Sequence, residues 1–190
     1  MYKACKTPQS AQRQREVVEC LVDMMRTQQY GDITVCALCQ RAQMPRKAFY
    51  RYFETKDDVF EALVELTMLE YERFAGPYRE GDRRTSEKDA LKLFTFWQGK
   101  KPLLDILHAN GLCQRFFGRI VSRSCDEKVG SSSILVNDSA FSLRSATYFS
   151  VSGIFAVVLD WYAQGYPAAP QEMAQLLQRL LTQPIYRQLT

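Results

Sequence analysis

Residues 33–60, ITVCALCQRAQMPRKAFYRYFETKDDVF, contain two short helical patterns separated by a tight turn. The side chain of Thr34 can cap the first helix, which is expected to end near Gln43. The inward face of this helix is formed by Val35, Leu38, Cys39 and Ala42. Pro45 suits the start of the second helix, which contains Phe49 and is so short that its neighbours must hold it.

Longer helical patterns lie on both sides of this segment. Thr7 and Pro8 form a cap and a first helical position, and the apolar spacing predicts a helix over about 8–28. Thr55 and Asp58 form a capping box that opens a helix reaching about Ala75. Further helices are predicted at about 86–99, 101–109, 111–124, 139–164 and 170–183, with a loop at 126–138. Strand patterns are lacking, so the sequence predicts an all-α fold.

Two short helices after a longer one describe a three-helix DNA-binding unit of the helix-turn-helix type. The first third of the chain is basic, with nine Lys and Arg residues against four Asp and Glu residues over 1–53. Arg46 and Lys47 lie at the N-terminal end of the second short helix, and this is the end that would enter the major groove. Thr34 and Lys56 lie at helix starts, which favour anions. Phosphate contacts on either side are expected from Tyr50, Arg51, Tyr52 and Lys56.

The pattern over about residues 10–60 resembles the N-terminal signature of the TetR/AcrR family of transcriptional regulators. The matching motifs are Ile33-Thr34-Val35-x-x-Leu38-Cys39-x-x-Ala42 and Phe49-Tyr50-x-Tyr52-Phe53-x-x-Lys56-Asp57-Asp58-Val59-Phe60. The resemblance implies phosphate contacts at Thr34, Tyr50, Tyr52 and Lys56 and base reading at Arg46, Lys47 and Ala48. It also implies a homodimer, in most members a repressor that a small molecule releases from its operator.

The resemblance further implies two domains, divided where Gly76-Pro77 stops the long helix. Residues 1–60 are expected to form the helix-turn-helix domain, with the long helix continuing to about 75 as a connector. A polar stretch, 78–86, would then lead into a helical effector-binding and dimerisation domain within 76–190.

Two residues depart from the family pattern at the turn. Gln43 stands where the family usually has glycine, so either it accepts a left-handed conformation or the turn is reshaped. Pro45 replaces the usual small polar residue and removes both a backbone donor and a side-chain cap. Both changes bear on the orientation of Arg46 and Lys47.

The last third of the chain carries few charges, with three Lys and Arg residues against three Asp and Glu residues over 131–190. Aromatic and aliphatic residues are spread through it, which indicates burial on more than one side. Its two helices resemble the final helices of many family members, which pair with their mates in a four-helix dimer interface. The expected interface residues are Phe155, Leu159, Leu176, Leu177, Leu180 and Leu181. A two-fold dimer favours a palindromic operator in double-stranded DNA.

Aromatic residues of the central and C-terminal helices are candidates for lining an effector cavity, because ligand sites between helices are mostly apolar. They are Phe94, Trp97, Phe116, Phe117, Phe149 and Trp161. Core packing is the alternative role for each of them.

Composition narrows the remaining possibilities. The longest uncharged stretch, 145–159, has 15 residues and falls short of the roughly 20 that a membrane span needs. The N-terminus lacks the features of a secretory signal, so a cytoplasmic protein is expected. The single CxxC, Cys36 to Cys39, lacks the further ligands of a zinc site. Neither a metal nor a cofactor is expected, and His108 has no recognisable catalytic partners.

Two alternatives stay open. A redox-sensing regulator of the same fold would need an accessible thiol near positive charge, for which Cys36 and Cys125 are candidates. A helical small-molecule-binding protein, adaptor or enzyme without DNA binding is the other. The first keeps the operator site, whereas the second would not depend on Arg46, Lys47 and Tyr50.

Overall fold

The structure is a computed structural model that describes residues 7–76, 87–131 and 140–183. Every regular element in these ranges is helical, which confirms the all-α prediction. The helices are α1 (Pro8–Met24), α2 (Val35–Arg41), α3 (Arg46–Phe49), α4 (Lys56–Ala75), α5 (Glu87–Gly99), α6 (Lys101–Ala109), α7 (Cys113–Ser131), α8 (Ala140–Ala163) and α9 (Pro170–Thr182). A short 3₁₀ turn, Tyr30–Asp32, joins α1 to α2.

The predicted caps are present. The Thr7 hydroxyl accepts a hydrogen bond from the backbone N–H of Ser10 at 3.2 Å, and the Thr34 hydroxyl accepts one from Ala37 at 3.1 Å. At the start of α4, the N–H of Asp58 donates to Thr55 Oγ1 at 3.2 Å, while the N–H of Thr55 donates to Asp58 Oδ2 at 2.9 Å. Each bond satisfies a donor that the helix itself leaves unpaired.

Some helix ends differ from the prediction. α1 stops at Met24 because the chain turns at residues 25–27 instead of continuing to 28. α7 begins at Cys113, two residues late, since Gly111 adopts a left-handed φ of 65°. Residues 126–131, predicted as part of a loop, continue α7 instead. Glu127 and Lys128 are good helix formers, which favours this continuation over the predicted loop. Residues 132–138 of that loop and the predicted connection over 78–86 lie outside the described residues.

The first of two compact units contains the residues up to Leu69 together with Pro102–Arg119. Its core is built from side chains that are at most 2% exposed, among them Leu21, Ile33, Leu38, Phe49, Phe53, Phe60, Leu104, Leu107 and Phe116. The rings of Phe60 and Phe116 meet edge to face with centroids 6.1 Å apart. Residues 102–119 therefore share a core with the N-terminal helices, which a linear division at residue 76 does not include.

The second unit contains Glu70–Lys101 and the residues that follow Arg119. In it α5 packs on α9 and, over a smaller area, on α8. Trp161 lies edge to face against Phe94, with centroids 5.3 Å apart, and its Nε1–H donates to the carbonyl of Ala168 at 2.9 Å. Buried Met173, Ala174 and Leu177 form the inner face of α9. The apolar stripe predicted for this last helix is thus partly used inside the unit.

Helix α8 is apolar around most of its circumference. Its stretch Arg144–Ala163 has a mean hydropathy of 1.2, and by length and composition alone it could cross a membrane. The count of 15 uncharged residues in the sequence had excluded such a span. The uncharged count stops at Asp160, whereas a span tolerates one or two charges near its ends. Only 22% of the stretch is buried. Such a helix presents apolar surface that another surface can cover.

Candidate nucleic-acid interface

The turn between α2 and α3 is closed by backbone hydrogen bonds around a left-handed residue. Gln43 adopts φ of 49°, and the N–H of Met44 donates to the carbonyl of Cys39 at 3.0 Å. Met44 and Cys39 are both buried. This is the arrangement of a Schellman C-cap, in which the left-handed position is usually glycine. Of the two possibilities that the sequence left open, Gln43 thus takes the left-handed conformation.

Glycine at position 43 is expected to stabilise the chain. A non-glycine residue pays roughly 1–2 kcal/mol in the left-handed region, so Gln43→Gly should raise the free energy of unfolding by about 1 kcal/mol. Gln40→Gly is the matched control, because Gln40 is exposed inside α2 and its replacement should lower stability by about 1 kcal/mol. Urea denaturation followed by circular dichroism measures both. Destabilisation by both variants would contradict this account of the turn.

Helix α3 presents cationic side chains on one side and an aromatic anchor on the other. Arg46 and Lys47 are exposed, and Phe49 is 0% exposed. The ring of Phe49 contacts those of Phe53 and Tyr50, with centroids 5.5 and 5.6 Å away. This anchor fixes the four-residue helix so that its cationic edge faces solvent. Pro45 leaves α3 without a side-chain cap, as expected.

The residues that follow α3 complete the exposed edge. Tyr50 is 43% exposed, and its hydroxyl accepts a hydrogen bond from Arg46 Nη2 at 3.3 Å, which raises the pKa of Arg46. Arg51 is exposed, whereas Ala48 and Tyr52 are partly buried. The predicted contact residues within 46–52 therefore lie on consecutive turns of one short segment, apart from Thr34 and Lys56.

Thr34 and Lys56 are already engaged within the protein. The Thr34 hydroxyl caps α2, and the residue itself is exposed. Lys56 Nζ donates to the carbonyl oxygens of Tyr30 and Gly31, the latter at 3.2 Å, and lies 4.4 Å from the centre of the Tyr30 ring. Burial lowers the pKa of Lys56. The sequence assigned Lys56 to phosphate contact. In the structure, Lys56 also ties the start of α4 to the 3₁₀ turn.

A polar cluster that the sequence did not predict surrounds Tyr30. The Tyr30 hydroxyl donates to Asp57 Oδ1 at 2.6 Å, and Arg115 Nη2 donates to the same oxygen at 2.8 Å. The Arg115 guanidinium lies 4.7 Å from the centre of the Phe60 ring. These hydrogen bonds, first from Tyr30 and then from Arg115, lower the pKa of Asp57. Burial, followed by the bond to Asp57, raises the pKa of Tyr30.

The lowered pKa of Asp57 predicts a pH-dependent contribution to stability. A depressed carboxyl pKa stabilises the fold above the ordinary value of 3.8 and loses that effect as pH falls through the folded value. Because the Asp57 side chain is 59% exposed, Asp57→Asn should cost less than about 1 kcal/mol at pH 7. Unfolding by urea between pH 2 and pH 7 measures this, with Asp32→Asn as the control. A deficit that persists at the acid end would contradict a charge effect.

The six aromatic residues proposed for an effector cavity do not come together in one unit. Phe116 and Phe117 belong to the first unit, where Phe116 contacts Phe60. Buried Phe94, Trp97 and Trp161 belong to the second. Phe149 is 75% exposed. The spacing along each helix identified five buried positions, but not the exposure of Phe149 or the unit in which each of the five is buried.

The residues proposed for dimerisation divide in a similar way. Phe155 is 9% and Leu177 5% exposed, and the Phe155 ring packs on Trp97 with centroids 5.8 Å apart. These two side chains are therefore used inside their own unit. Leu181 is 38% exposed, while Leu159, Leu176 and Leu180 are partly buried. These four residues and Phe149 retain exposed surface that a partner can cover.

The cysteine candidates are separated by their exposure. Cys36 is exposed, whereas Cys125 is 0% exposed and lacks the accessibility that a thiol sensor needs. Cys39 is buried, as its place on the inward face of α2 predicted, and burial raises its pKa. The redox alternative therefore depends on Cys36. Within the described ranges, no three His, Cys, Asp or Glu side chains are grouped as metal ligands.

Comparison with known proteins identifies the N-terminal region. Residues 22–63 match the family described as bacterial regulatory proteins, tetR family. The match covers all of α2, the turn, α3 and the start of α4, and it confirms the resemblance that the sequence motifs carry. No curated protein matches the chain significantly.

Solved structures share the fold at low sequence identity. A protein from Syntrophomonas wolfei described as a TetR-family transcriptional regulator is 14% identical, with a TM-score of 0.60 over 90% of this chain and 93% of its own. The fatty acid degradation regulator FadR from Bacillus halodurans is also 14% identical, with a TM-score of 0.54 over 96% and 98%. At these identities the likeness concerns the fold, and it extends over nearly the whole chain.

Proposed function

Residues 22–63 belong to the TetR family of bacterial regulatory proteins, and from this premise we propose that the chain is a ligand-responsive repressor acting as a cytoplasmic homodimer. The family match supports the coarser statement, a DNA-binding transcriptional regulator. The proposal adds the repressor role, release by a small molecule, and a palindromic operator. One observation carries it, the exposed cationic edge of α3 opposite the buried Phe49 anchor.

Operator recognition is divided between base-reading and phosphate-contacting residues. Arg46 and Lys47 lie where a recognition helix meets base edges, and arginine pairs with two acceptors of guanine. Tyr50, Arg51 and Tyr52 follow on the exposed edge and are placed for phosphates on either side, together with Thr34 and Lys56. Ala48, partly buried between them, fits a position that packs against a thymine methyl group.

Selection of DNA fragments from a random pool tests the proposal directly. The wild-type protein is expected to enrich fragments with inverted half-sites, whose spacing reports the separation of two recognition helices. Its affinity should fall steeply as salt concentration rises, because the Lys and Arg side chains of the protein displace counterions from the DNA phosphates. Enrichment of no sequence, with salt-independent binding, would favour the helical binding protein without DNA contacts.

The second unit is proposed to bind the effector and the second copy of the chain. Its buried aromatic residues Phe94, Trp97 and Trp161 are the apolar groups that such an effector would meet. By linkage, an effector that lowers operator affinity is itself bound more weakly by the DNA complex, with coupling of about 1–3 kcal/mol. Titration of candidate effectors into the free and DNA-bound protein measures this reciprocity.

Dimer formation is proposed to use α8 and α9. Exposed Phe149 and Leu181 lie on these helices, and only 22% of the apolar stretch Arg144–Ala163 is buried among the described residues. The exposed side of α8 also carries small residues at Ser152, Gly153 and Ala156. Small residues allow another helix to approach closely, which suits packing against a second copy.

Gly153→Leu should therefore weaken the dimer. A Cβ at Gly153 meets nothing within 4 Å in the single chain, so leucine is tolerated by the monomer and also favours helix. Overpacking of a close interface should raise the dimer dissociation constant about tenfold to hundredfold. Sedimentation equilibrium measures the dissociation constant.

Gly118→Leu is the matched control for this substitution. Gly118 lies inside α7 with equally open space around its Cβ, but it belongs to the first unit. Its replacement should leave dimerisation unchanged. A Gly153→Leu protein that dimerises as tightly as wild type would place the interface elsewhere.

A further inference from the structure

The connection from α1 to α2 contains backbone groups that need partners from outside it. It begins at Met25, the C-cap of α1, and reaches the 3₁₀ turn at Tyr30. Met25 is 2% and Tyr30 8% exposed. A buried carbonyl or N–H without a partner destabilises the fold, and the last carbonyls of a helix have no partner within it.

Asn110 supplies those partners from the corner between α6 and α7. Its Nδ2 donates to the carbonyl of Met25 at 3.0 Å and to that of Ile106 at 2.8 Å. Its Oδ1 accepts the backbone N–H of Tyr30 at 2.6 Å. One amide therefore joins both ends of the α1–α2 connection to the end of α6. We refer to these three hydrogen bonds as the Asn110 bracket.

The corner that holds Asn110 is itself ordered by its backbone. Gly111 adopts a left-handed φ of 65°, and the N–H of Leu112 donates to the carbonyl of Leu107 at 2.8 Å. Leu112 is 8% exposed and anchors the corner in the core of the first unit. Gln29 Nε2 adds a bond to the carbonyl of Ala109 at 3.3 Å. The amide of Asn110 is thus presented by a fixed turn.

The bracket is connected to the operator site by a short stretch of backbone. The 3₁₀ turn that starts at Tyr30 leads directly to Ile33, which is 2% exposed, and to Thr34, the cap of α2. Lys56 binds the carbonyls at the start of the same turn. Whatever fixes Tyr30 therefore also fixes the first turn of α2 and the position of Lys56.

We propose that Asn110 is a positioning residue for operator binding. It touches no DNA, and it acts by holding the α1–α2 connection so that Thr34 and the start of α2 meet the phosphates in register. The inference rests on the proposed function and adds to it a residue remote in sequence from the helix-turn-helix. All three hydrogen-bond partners of Asn110 belong to the first unit, so the effect does not require a ligand in the second.

Two substitutions at Asn110 test the inference. Asn110→Ala removes the whole bracket, and Asn110→Asp keeps the acceptor for Tyr30 while placing a carboxylate against the carbonyls of Met25 and Ile106. Each is expected to weaken binding to the selected operator about tenfold, measured by fluorescence anisotropy at a temperature where the variants are folded by circular dichroism. Gln28→Glu is the control, since it adds the same charge to an exposed position of the same connection.

A double-mutant cycle separates positioning from general stability. If Asn110 acts through the start of α2, the loss caused by Asn110→Ala should shrink strongly in a Thr34→Ala background. Hydrogen exchange supplies a second measurement, in which the amide of Tyr30 should exchange faster in Asn110→Ala, which lacks its acceptor, while the amides of α5 and α9 are unchanged. This readout remains informative even where a variant is only marginally stable.

The outcomes distinguish this inference from the proposed function. Operator affinity equal to that of wild type in both folded variants, additive losses in the cycle, or unchanged exchange at Tyr30 in Asn110→Ala would each overturn the role of Asn110 alone. A wild-type protein that binds no DNA would overturn both. Coupled losses together with faster exchange at Tyr30 would support it.

Discussion

Replacing Arg46, Lys47 and Tyr50 together by alanine is expected to weaken operator binding at least about a hundredfold, because a lost base contact costs roughly 1–3 kcal/mol and a lost phosphate contact adds to it. The three side chains are exposed, and Phe49, which anchors α3, is retained. The variant should therefore fold and dimerise as wild type does. Anisotropy titrations at several salt concentrations give both the affinity and its salt dependence.

The salt dependence identifies the kind of contact that is lost. Each phosphate contact removed should lower the slope of log affinity against log salt by about 1. Arg73→Ala with Lys88→Ala removes as many positive charges from exposed positions of the second unit and serves as the control. Equal losses in the control would show that net charge, not the α3 edge, drives binding. An unchanged affinity in the triple variant would remove α3 from the interface.

Trp161→Ala should produce the largest loss of stability, about 3–5 kcal/mol in the free energy of unfolding. Trp161 is 2% exposed and packs edge to face against Phe94 and Tyr166, with centroids 5.3 and 4.5 Å away. Alanine removes these contacts and leaves the carbonyl of Ala168 without its indole donor. Urea denaturation followed by circular dichroism measures the change.

Two controls decide between core packing and a cavity at this position. Trp161→Phe keeps an aromatic ring and should cost less than half as much. Phe149→Ala removes an aromatic ring that is 75% exposed and should change unfolding of the single chain by less than about 0.5 kcal/mol. A Trp161→Ala protein within about 1 kcal/mol of wild type would show that Trp161 borders open space, as an effector-lining residue would.

Local patterns predicted the parts of the fold that neighbouring residues determine. Thr34 and Thr55 cap the helices that their positions indicated, because a cap involves residues only three apart in sequence. The left-handed turn at Gln43 was foreseen as one of two possibilities for the same reason. Arg46 and Lys47 were placed by their position at the start of the second short helix, and both are exposed there.

Contacts between distant segments could not be predicted in this way. Asn110 lies 80 residues from Tyr30, and Arg115 lies 58 residues from Asp57. Nothing in the spacing of one helix indicates which other helix it meets, so Phe116 was grouped with Phe94 although they belong to different units. An Asn-Gly pair at 110–111 predicts a turn, but not that the amide would hold the connection after α1.

The N-terminal helices share a core with residues 102–119. This shared core limits how the gene for this protein can recombine with others. A chimera that joins residues 1–69 to an unrelated body would leave Phe60 without Phe116 and Tyr30 without Asn110. Its recognition segment would be grafted without the part of the core that residues 102–119 supply. Exchange of regulatory specificity between such proteins therefore has to carry both segments together or proceed by point substitution within α3.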